Sequence, residues 1–339
     1  MKQLFKKAAV WGDLHLGEKS NSQLHNTDCI EYIKWFVETA QNNNCDCCIF
    51  LGDYFHNRNN TNLMTMNYGL QGLRLLSEAF PRTIMIPGNH DLFFKDQRTV
   101  SSIAWAEHIP NIEIFNDITY IDDTVFVPWL VGEEHKQLFK QKAQYMFGHF
   151  ELPSFMMNAH VVMPDVGELK AHHFSDFGHV FSGHFHKRQS KLNITYIGNT
   201  FPHNFSDVDD DDRGMMILPW GEDPTFIPWP DAPKYRSVKI SELVVNPAKY
   251  LSKKGYVKII MDTNISYEEA SYIKESLINE FELRELSLIS LNKDMHSTDP
   301  SPNGNIKFQS VDTIVQGQIT AIDSEFYDAN VLLDIYRGL

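Results

Sequence analysis

Residues 47–56, CCIFLGDYFH, pass from a short apolar run through Gly52 into Asp53 and His56. A continuous apolar run of this length, closed by a turn signal, reads as a buried strand. The glycine allows a sharp turn and close backbone approach. The same order recurs in AAVWGDLH (Asp13, His15), TIMIPGNHD (Asn89, His90, Asp91), YMFGHF (His149) and VFSGHFH (His184, His186). Each polar cluster stands at the carboxyl end of its strand, the edge at which open α/β sheets carry their sites. One Asp-x-His pair says little, but five such clusters in series predict a single composite site. In the last of them, side chains at i and i+2 of an extended segment share a face, so His184 and His186 are expected to point the same way.

Between these runs the apolar residues change to helical spacing. Thr27 is placed to cap a helix carrying Ile30, Ile33, Val37 and Ala40, and a second helix from about Asn62 carries Leu63, Met66, Leu70, Leu73 and Leu76 as a core stripe. Strands alternating with helices predict a layered α/β fold. Fourteen of the fifteen histidines lie at or before His203, which marks residues 1 to about 218 as the chemical part. Five of the fifteen prolines then fall between Pro219 and Pro233. Such a stretch excludes an interior strand or helix and marks a domain boundary. Beyond it RSVKISELVV and YVKIIMD read as strands. Ser266 and Glu269 form a capping box for a helix with Ala270, Ile273, Leu277 and Phe281 inward, and LSLISL is a further strand. The polar run NKDMHSTDPSPNGN is a linker, and the remainder has a helical, amphipathic pattern. The expected organisation is a main domain over 1–233, a small α+β capping domain over 234–295, and a linker with C-terminal helices over 296–339.

The formal net charge of −14 repels polyphosphate over most of the surface, so any nucleic-acid contact must be local, metal-assisted or shared with a partner. Gly12 and Asp13 cut the first apolar stretch far below a secretory signal, and no uncharged run reaches membrane-spanning length. A soluble, cytoplasmic protein without membrane contact is expected. Cys29, Cys45, Cys47 and Cys48 lack a second C-x-x-C pair that would complete a zinc set, and are read as reduced thiols around a buried strand. Asp, His and Asn without Cys suit borderline divalent ions such as manganese, iron or zinc. A carboxylate able to bridge suits two ions about 3.5 to 4 Å apart, which polarise a phosphoryl group and generate hydroxide from bound water. The predicted chemistry is hydrolysis of a phosphate ester.

The ordered set Asp-x-His, Gly-Asp, Gly-Asn-His-Asp, Gly-His and Gly-His-x-His resembles the calcineurin-like metallophosphoesterases, whose fold is a layered β-sandwich flanked by helices. Within them GDYFHNRNNTN resembles the SbcD-type DNA nucleases, whose second motif carries a histidine three residues after the aspartate, here His56. The Ser/Thr protein phosphatases carry an arginine four residues after that aspartate, where this chain has Asn57, with Arg58 displaced by one. They also close the third motif with Glu where this chain has Asp91. The resemblance implies one ion on Asp13, His15, Asp53 and His186 and another on Asp53, Asn89, His149 and His184, with Asp53 bridging. The ions implied are Mn2+, with Mg2+, Fe2+ or Zn2+ as alternatives. His90 is then placed to stabilise or protonate the leaving group, and His56 to orient the phosphate.

At the level of the whole chain, the resemblance implies DNA cleavage at duplex ends and in single strands. It also implies a C-terminal segment docked on an SMC-like coiled-coil ATPase, with a homodimer inside a heterotetramer, in break processing, recombination and recombination-dependent replication. The docking residues expected are Phe326, Tyr327, Leu332, Ile335 and Tyr336, an aromatic and aliphatic surface beyond Val311, Ile314, Val315, Ile319 and Ile322. Lys234, Arg236, Lys239, Lys249, Lys253 and Lys254 are candidate DNA-phosphate contacts, although residues 234–299 balance ten basic against ten acidic side chains. The acidic run of Asp207 and Asp209 to Asp212 reads as a solvated loop before Gly214. Two other functions share these residues: a phosphomonoesterase or small-molecule phosphodiesterase, and a non-catalytic assembly subunit with a structural metal core.

Overall fold

In the computed structural model, residues 2–139, 141–158, 161–263, 267–290, 319–320 and 328–337 are described. Short strands, the central ones buried on both faces, build two six-stranded sheets. The first contains β1 (Lys7–Trp11), β2 (Cys47–Phe50), β3 (Thr83–Met85), β4 (Ile112–Ile114), β11 (Gly214–Pro219) and β12 (Thr225–Pro228), in the order β12-β11-β1-β2-β3-β4. The second contains β5 (Thr119–Ile121), β6 (Thr124–Val127), β7 (Tyr145–His149), β8 (His179–Gly183), β9 (Gln189–Lys191) and β10 (Ile194–Tyr196), in the order β5-β6-β7-β8-β10-β9. β1 to β4 run parallel, as do β6, β7, β8 and β10. Within each sheet the parallel strands therefore share a carboxyl edge, and those of β1, β2, β3, β7 and β8 carry the motifs.

The alternation of side chains along each strand sorts the core into layers. Ala8, Val10, Ile49 and Leu51 from the first sheet meet Phe126, Phe147 and Phe181 from the second in one shared apolar layer. The intervening residues Ala9, Trp11, Cys48 and Phe50 face outward against the helices Gln23–Asn42 and Leu63–Ala79. Val125, Val127, Met146 and Val180 form a third layer on the far side of the second sheet. The result is a mixed α/β sandwich flanked by helices. All four cysteines are free thiols, with Cys47 and Cys48 buried on β2.

Local readings fail where long-range packing intervenes. The helix Gln23–Asn42 is capped by Ser22, whose side chain accepts from the His25 N–H. Thr27 lies inside the first turns and its hydroxyl donates to the Gln23 carbonyl at 2.9 Å. Leu63 is 88% exposed. The helix Leu63–Ala79 approaches its neighbours through Gly69 and Gly72 instead, where an added Cβ would lie 2.6 Å from Phe55 and from Ile33. The proline-rich stretch is no interior strand, yet Thr225–Pro228 pairs antiparallel with β11 as an edge, where a missing N–H is tolerated.

The acidic run is a solvated loop only in part: Asp209 and Asp212 are exposed, whereas the rest turns inward. Asp207 and Arg213 are fully buried, and Arg213 meets Asp207 at 3.3 Å, Asp210 at 2.9 Å and Asn199 at 2.8 Å. Asp212 pairs with Arg188 at 2.6 Å, and Asp211 pairs with Arg236. A buried guanidinium needs partners for its charge, and these groups engage both terminal nitrogens of Arg213 while its Nε makes no hydrogen bond.

The chain divides into two compact units, Met1–Arg236 with Lys253–Tyr256, and Ser237–Ser252 with Val257–Leu339. In the smaller unit, β13 (Tyr235–Lys239), β14 (Tyr256–Met261) and β15 (Glu285–Ser290) form a sheet in that order with the helix Tyr267–Phe281. RSVKISELVV is only half strand: it leaves β13 at Lys239 and turns into the short helix Ile240–Leu243, where Ser241 bonds to the Asp262 carboxylate. Ser266 and the linker lie outside the described residues. No helix among the described residues is long and apolar enough to cross a membrane.

Candidate metal centre

The loops after β1, β2, β3, β7 and β8 bring together the seven residues named as ligands from sequence. Asp53 stands between two groups of imidazoles. Its Oδ2 lies 3.7 Å from His15 Nε2 and 3.4 Å from His149 Nε2. On one side, His15 Nε2 faces His186 Nε2 at 3.2 Å. On the other, Asn89 Oδ1 lies 3.1 Å from His149 Nε2 and 2.9 Å from His184 Nδ1. Asp13 accepts from the His184 N–H at 3.0 Å, tying the first loop to the last. Imidazole nitrogens and carboxylate oxygens converge within ligating range on each side of Asp53, so the donor set fits divalent metal on both sides.

The backbone that presents these groups is unusual. Asp13, His15, Asp53 and His184 have φ of 53°, 52°, 62° and 84°, in the left-handed region that costs a residue with a Cβ roughly 1–3 kcal/mol. Long-range bonds hold this conformation: Asp13 N–H to the Gly52 carbonyl at 2.9 Å, and His15 N–H to the Asp53 carbonyl at 3.0 Å. His184 has left β8, so the strand alternation expected for His184 and His186 does not apply. A turn, not a pleat, aims both rings at the cluster.

Asp91 supplies the remaining anchor. Its Oδ2 accepts from the N–H groups of Asp53 at 2.7 Å and Gly88 at 3.0 Å, and its Oδ1 from those of Tyr54 at 3.0 Å and Phe55 at 3.2 Å. One buried carboxylate thus folds the loop that carries Asp53. The Gly-Asn-His-Asp motif contained the signal, but its final residue carried no assigned role. Gly52 and Gly88 let the loops touch: a Cβ on Gly52 would lie 2.6 Å from His149 Nδ1, and one on Gly88 2.2 Å from Asp53 Oδ1.

Burial raises the Asp13 carboxyl to about 8. It also lowers His184, lowers His186 to about 4 and takes His15 well below the usual imidazole range, which leaves their lone pairs open. Asp53 and His149 oppose the burial penalty together. His149 holds Asp53 ionised, and Asp53 raises His149 to about 9. A cation there competes with the His149 proton for one lone pair, so binding releases a proton.

His90 and His56 stack beside this cluster, ring centroids 5.2 Å apart, and His90 Nδ1 donates to the His56 carbonyl at 2.7 Å. His90 Nδ1 is thereby the protonated nitrogen, because a carbonyl can only accept. His56 Nδ1 lies 3.4 Å from His15 Nδ1. Sequence reasoning missed Trp129, whose ring lies 5.1 Å from that of His184, and Glu151, 3.7 Å from His184 Nε2. Both line a cleft of about 460 Å3 that opens beside His149.

Several of the candidate DNA contacts are already engaged in ion pairs. Lys254 pairs with Glu31 at 2.6 Å and Asp28 at 3.4 Å, Lys234 with Asp211 at 3.9 Å, and Arg236 with Asp211 and Asp209. Lys249 lies over the Tyr250 ring, and Lys239 and Lys253 are exposed. Among the docking residues, Leu332, Ile335 and Tyr336 lie on the helix Ala329–Arg337, with Leu332 and Tyr336 half-buried. Phe326 and Tyr327 lie outside the described residues, as do Val311, Ile314, Val315 and Ile322.

Comparison with known proteins places this region in a family. The family described as "Calcineurin-like phosphoesterase" matches residues 6–188, which contain all five motifs. The chain is 28% identical over 231 residues to the protein "Exonuclease subunit 1" of Enterobacteria phage T4. That match covers 64% of this chain and 66% of the relative's length, just under two thirds of that protein.

Proposed function

The chain belongs to the calcineurin-like phosphoesterases, and from that premise we propose that it is a two-metal DNA nuclease, acting on duplex ends and single strands as a subunit of a complex with an SMC-like coiled-coil ATPase. The observation that carries this reading is the position of Asp53, one carboxylate oxygen between His15 and His149. A carboxylate so placed can bridge one ion held with Asp13, His15 and His186 and another held with Asn89, His149 and His184. Such a pair, Mn2+ in this proposal, supplies Lewis acidity and a hydroxide at neutral pH. The protein's own part is to fix the donors, through Asp91 and the left-handed loops, and to hold His90 with its Nδ1 proton engaged. The other ring nitrogen is then the one that, when protonated, can donate to the leaving oxygen. His56 orients the phosphate beside His15. Resemblance to a phage protein named as an exonuclease subunit supports both a nucleic-acid substrate and assembly with another subunit. Lys239, Lys249 and Lys253 are proposed phosphate contacts, and the helix Ala329–Arg337 with the residues before it is proposed to dock on the ATPase.

The deciding experiment is Mn2+-dependent digestion of end-labelled duplex DNA, with 4-nitrophenyl phosphate and its diester as parallel substrates. Release of nucleotides from the duplex and cleavage of the diester are expected. Efficient monoester hydrolysis with inert DNA would instead make the chain a small-molecule phosphoesterase.

A further inference from the structure

Behind His15, on the side of its backbone carbonyl, lie Glu18, His25 and His203, three ligating residues to which the bridged centre gives no role. They are 9%, 4% and 0% exposed. Each presents a ligand atom within 4.8 Å of those of the other two.

The hydrogen bonding leaves each with a donor atom for a cation. His25 Nε2 lies 3.0 Å from the His15 carbonyl. A carbonyl can only accept, so Nε2 carries the proton and Nδ1 the lone pair. A ring N–H on a backbone carbonyl is the usual support of a metal-binding imidazole. Glu18 uses Oε1 to accept from Asn204 at 3.1 Å, which leaves Oε2. That oxygen lies 3.1 Å from His203 Nδ1, but without hydrogen-bond geometry. Neither ring nitrogen of His203 makes a hydrogen bond, although the residue is fully buried.

The His203 main chain is anchored on both sides: its backbone N–H donates to Asp207 at 3.0 Å, and its carbonyl accepts from the Tyr235 hydroxyl at 2.6 Å. Asp207 is in turn held by Arg213. A buried imidazole with both nitrogens unpaired, fixed beside a buried carboxylate, is costly unless something joins them. Lys19, which opposes a cation here, holds its ammonium 5.0 and 4.0 Å from the centroids of the Tyr235 and Tyr256 rings.

We propose that Glu18, His25 and His203 form a third divalent-cation site, separate from the bridged centre. Two imidazoles and one carboxylate select a zinc-class ion over Mg2+ or Ca2+. Its role is positional. It ties the start of the helix Gln23–Asn42 to the loop before Asp207, and the His203 ring centroid lies 5.5 Å from that of His15 and 5.4 Å from that of His186. The ion therefore stiffens two imidazoles of the neighbouring centre without touching substrate. The proposal does not depend on the nuclease reading.

The test is anomalous diffraction at the zinc edge from crystals of the full chain grown with Zn2+ alone. A peak about 2.0–2.2 Å from all three residues is expected, apart from any peaks around Asp53. Peaks confined to the bridged centre, or one that takes His203 together with His15 and His186, would overturn it. In solution, Asp53→Asn cripples the bridged centre but should leave one Zn2+ per chain by elemental mass spectrometry. Adding His25→Phe should weaken that remaining ion at least tenfold. An Asp53→Asn chain that holds no zinc refutes the site, and if the double variant fails to fold, the diffraction result on the unaltered chain decides.

Discussion

Gly52→Ala probes the close approach of the β2 and β3 loops, and the molecule contains its own control. At Gly52 φ is +97°, and a Cβ would meet His149 Nδ1 at 2.6 Å and the Gly88 Cα and N at 2.7 Å. At Gly221 φ is +78° with nothing within 4 Å of the added atom. Both substitutions incur the left-handed backbone penalty, about 1–2 kcal/mol. Only Gly52→Ala adds overlap with backbone and a fixed ring, and forced overpacking costs about 1–3 kcal/mol more. The expected losses are therefore about 1–2 kcal/mol for Gly221→Ala and about 2–5 kcal/mol for Gly52→Ala, read from urea midpoints. The overlap also displaces the Leu51 carbonyl that accepts from His149 Nδ1 at 2.6 Å and the Gly52 carbonyl that accepts from Asp13 N–H at 2.9 Å. Metal affinity should thus fall with Gly52→Ala and stay unchanged with Gly221→Ala. Equal stability of the two variants with undiminished metal binding would refute the close-approach argument.

Asp91→Asn should keep the fold but weaken both ions, because an amide turns one end of the side chain into a donor facing two backbone N–H groups; wild-type metal content by mass spectrometry would show that Asp91 does not hold the Asp53 loop. His90→Ala should retain both ions and lose about 10² to 10⁴ in phosphodiester hydrolysis, whereas loss of metal in step with activity would make His90 a ligand. Burial raises the Glu134 carboxyl, but its two-pronged bond from Arg98 outweighs that and leaves it below its ordinary value of 4.5. Its contribution is therefore present above the unfolded value and lost as pH falls through the lower folded one. Denaturation of Glu134→Gln should converge with wild type in acid, and a difference that persists there removes the pair as its cause. Phe326→Asp with Leu332→Asp should abolish co-purification with the ATPase while sparing metal content; an unfolded product would instead place the segment in the core.

The order of apolar run, glycine and ligand is local information, and it is enough to locate the strands β1, β2, β3, β7 and β8 and the residues at their ends. A strand needs only its neighbours' pattern to be recognised, and parallel strands share a carboxyl edge, so a list of five short segments already describes one site. The same holds for the helix Tyr267–Phe281 and the strands β14 and β15 of the smaller unit, whereas RSVKISELVV runs a strand into a helix start. What the tertiary structure decided was set by contacts between distant residues. The left-handed backbone at Asp13, His15, Asp53 and His184 has no glycine to announce it and persists because the neighbouring loops bond to it. Leu63 lies outside the core, and the helix that carries it packs instead through Gly69 against Phe55 and through Gly72 against Ile33. The acidic run looked solvated until Arg213 was seen buried among its carboxylates. Glu18, His25 and His203 carry no shared pattern at all. Their meeting depends on how a turn, a helix start and a loop from the other end of the domain pack around His15, and a one-dimensional period cannot encode that geometry.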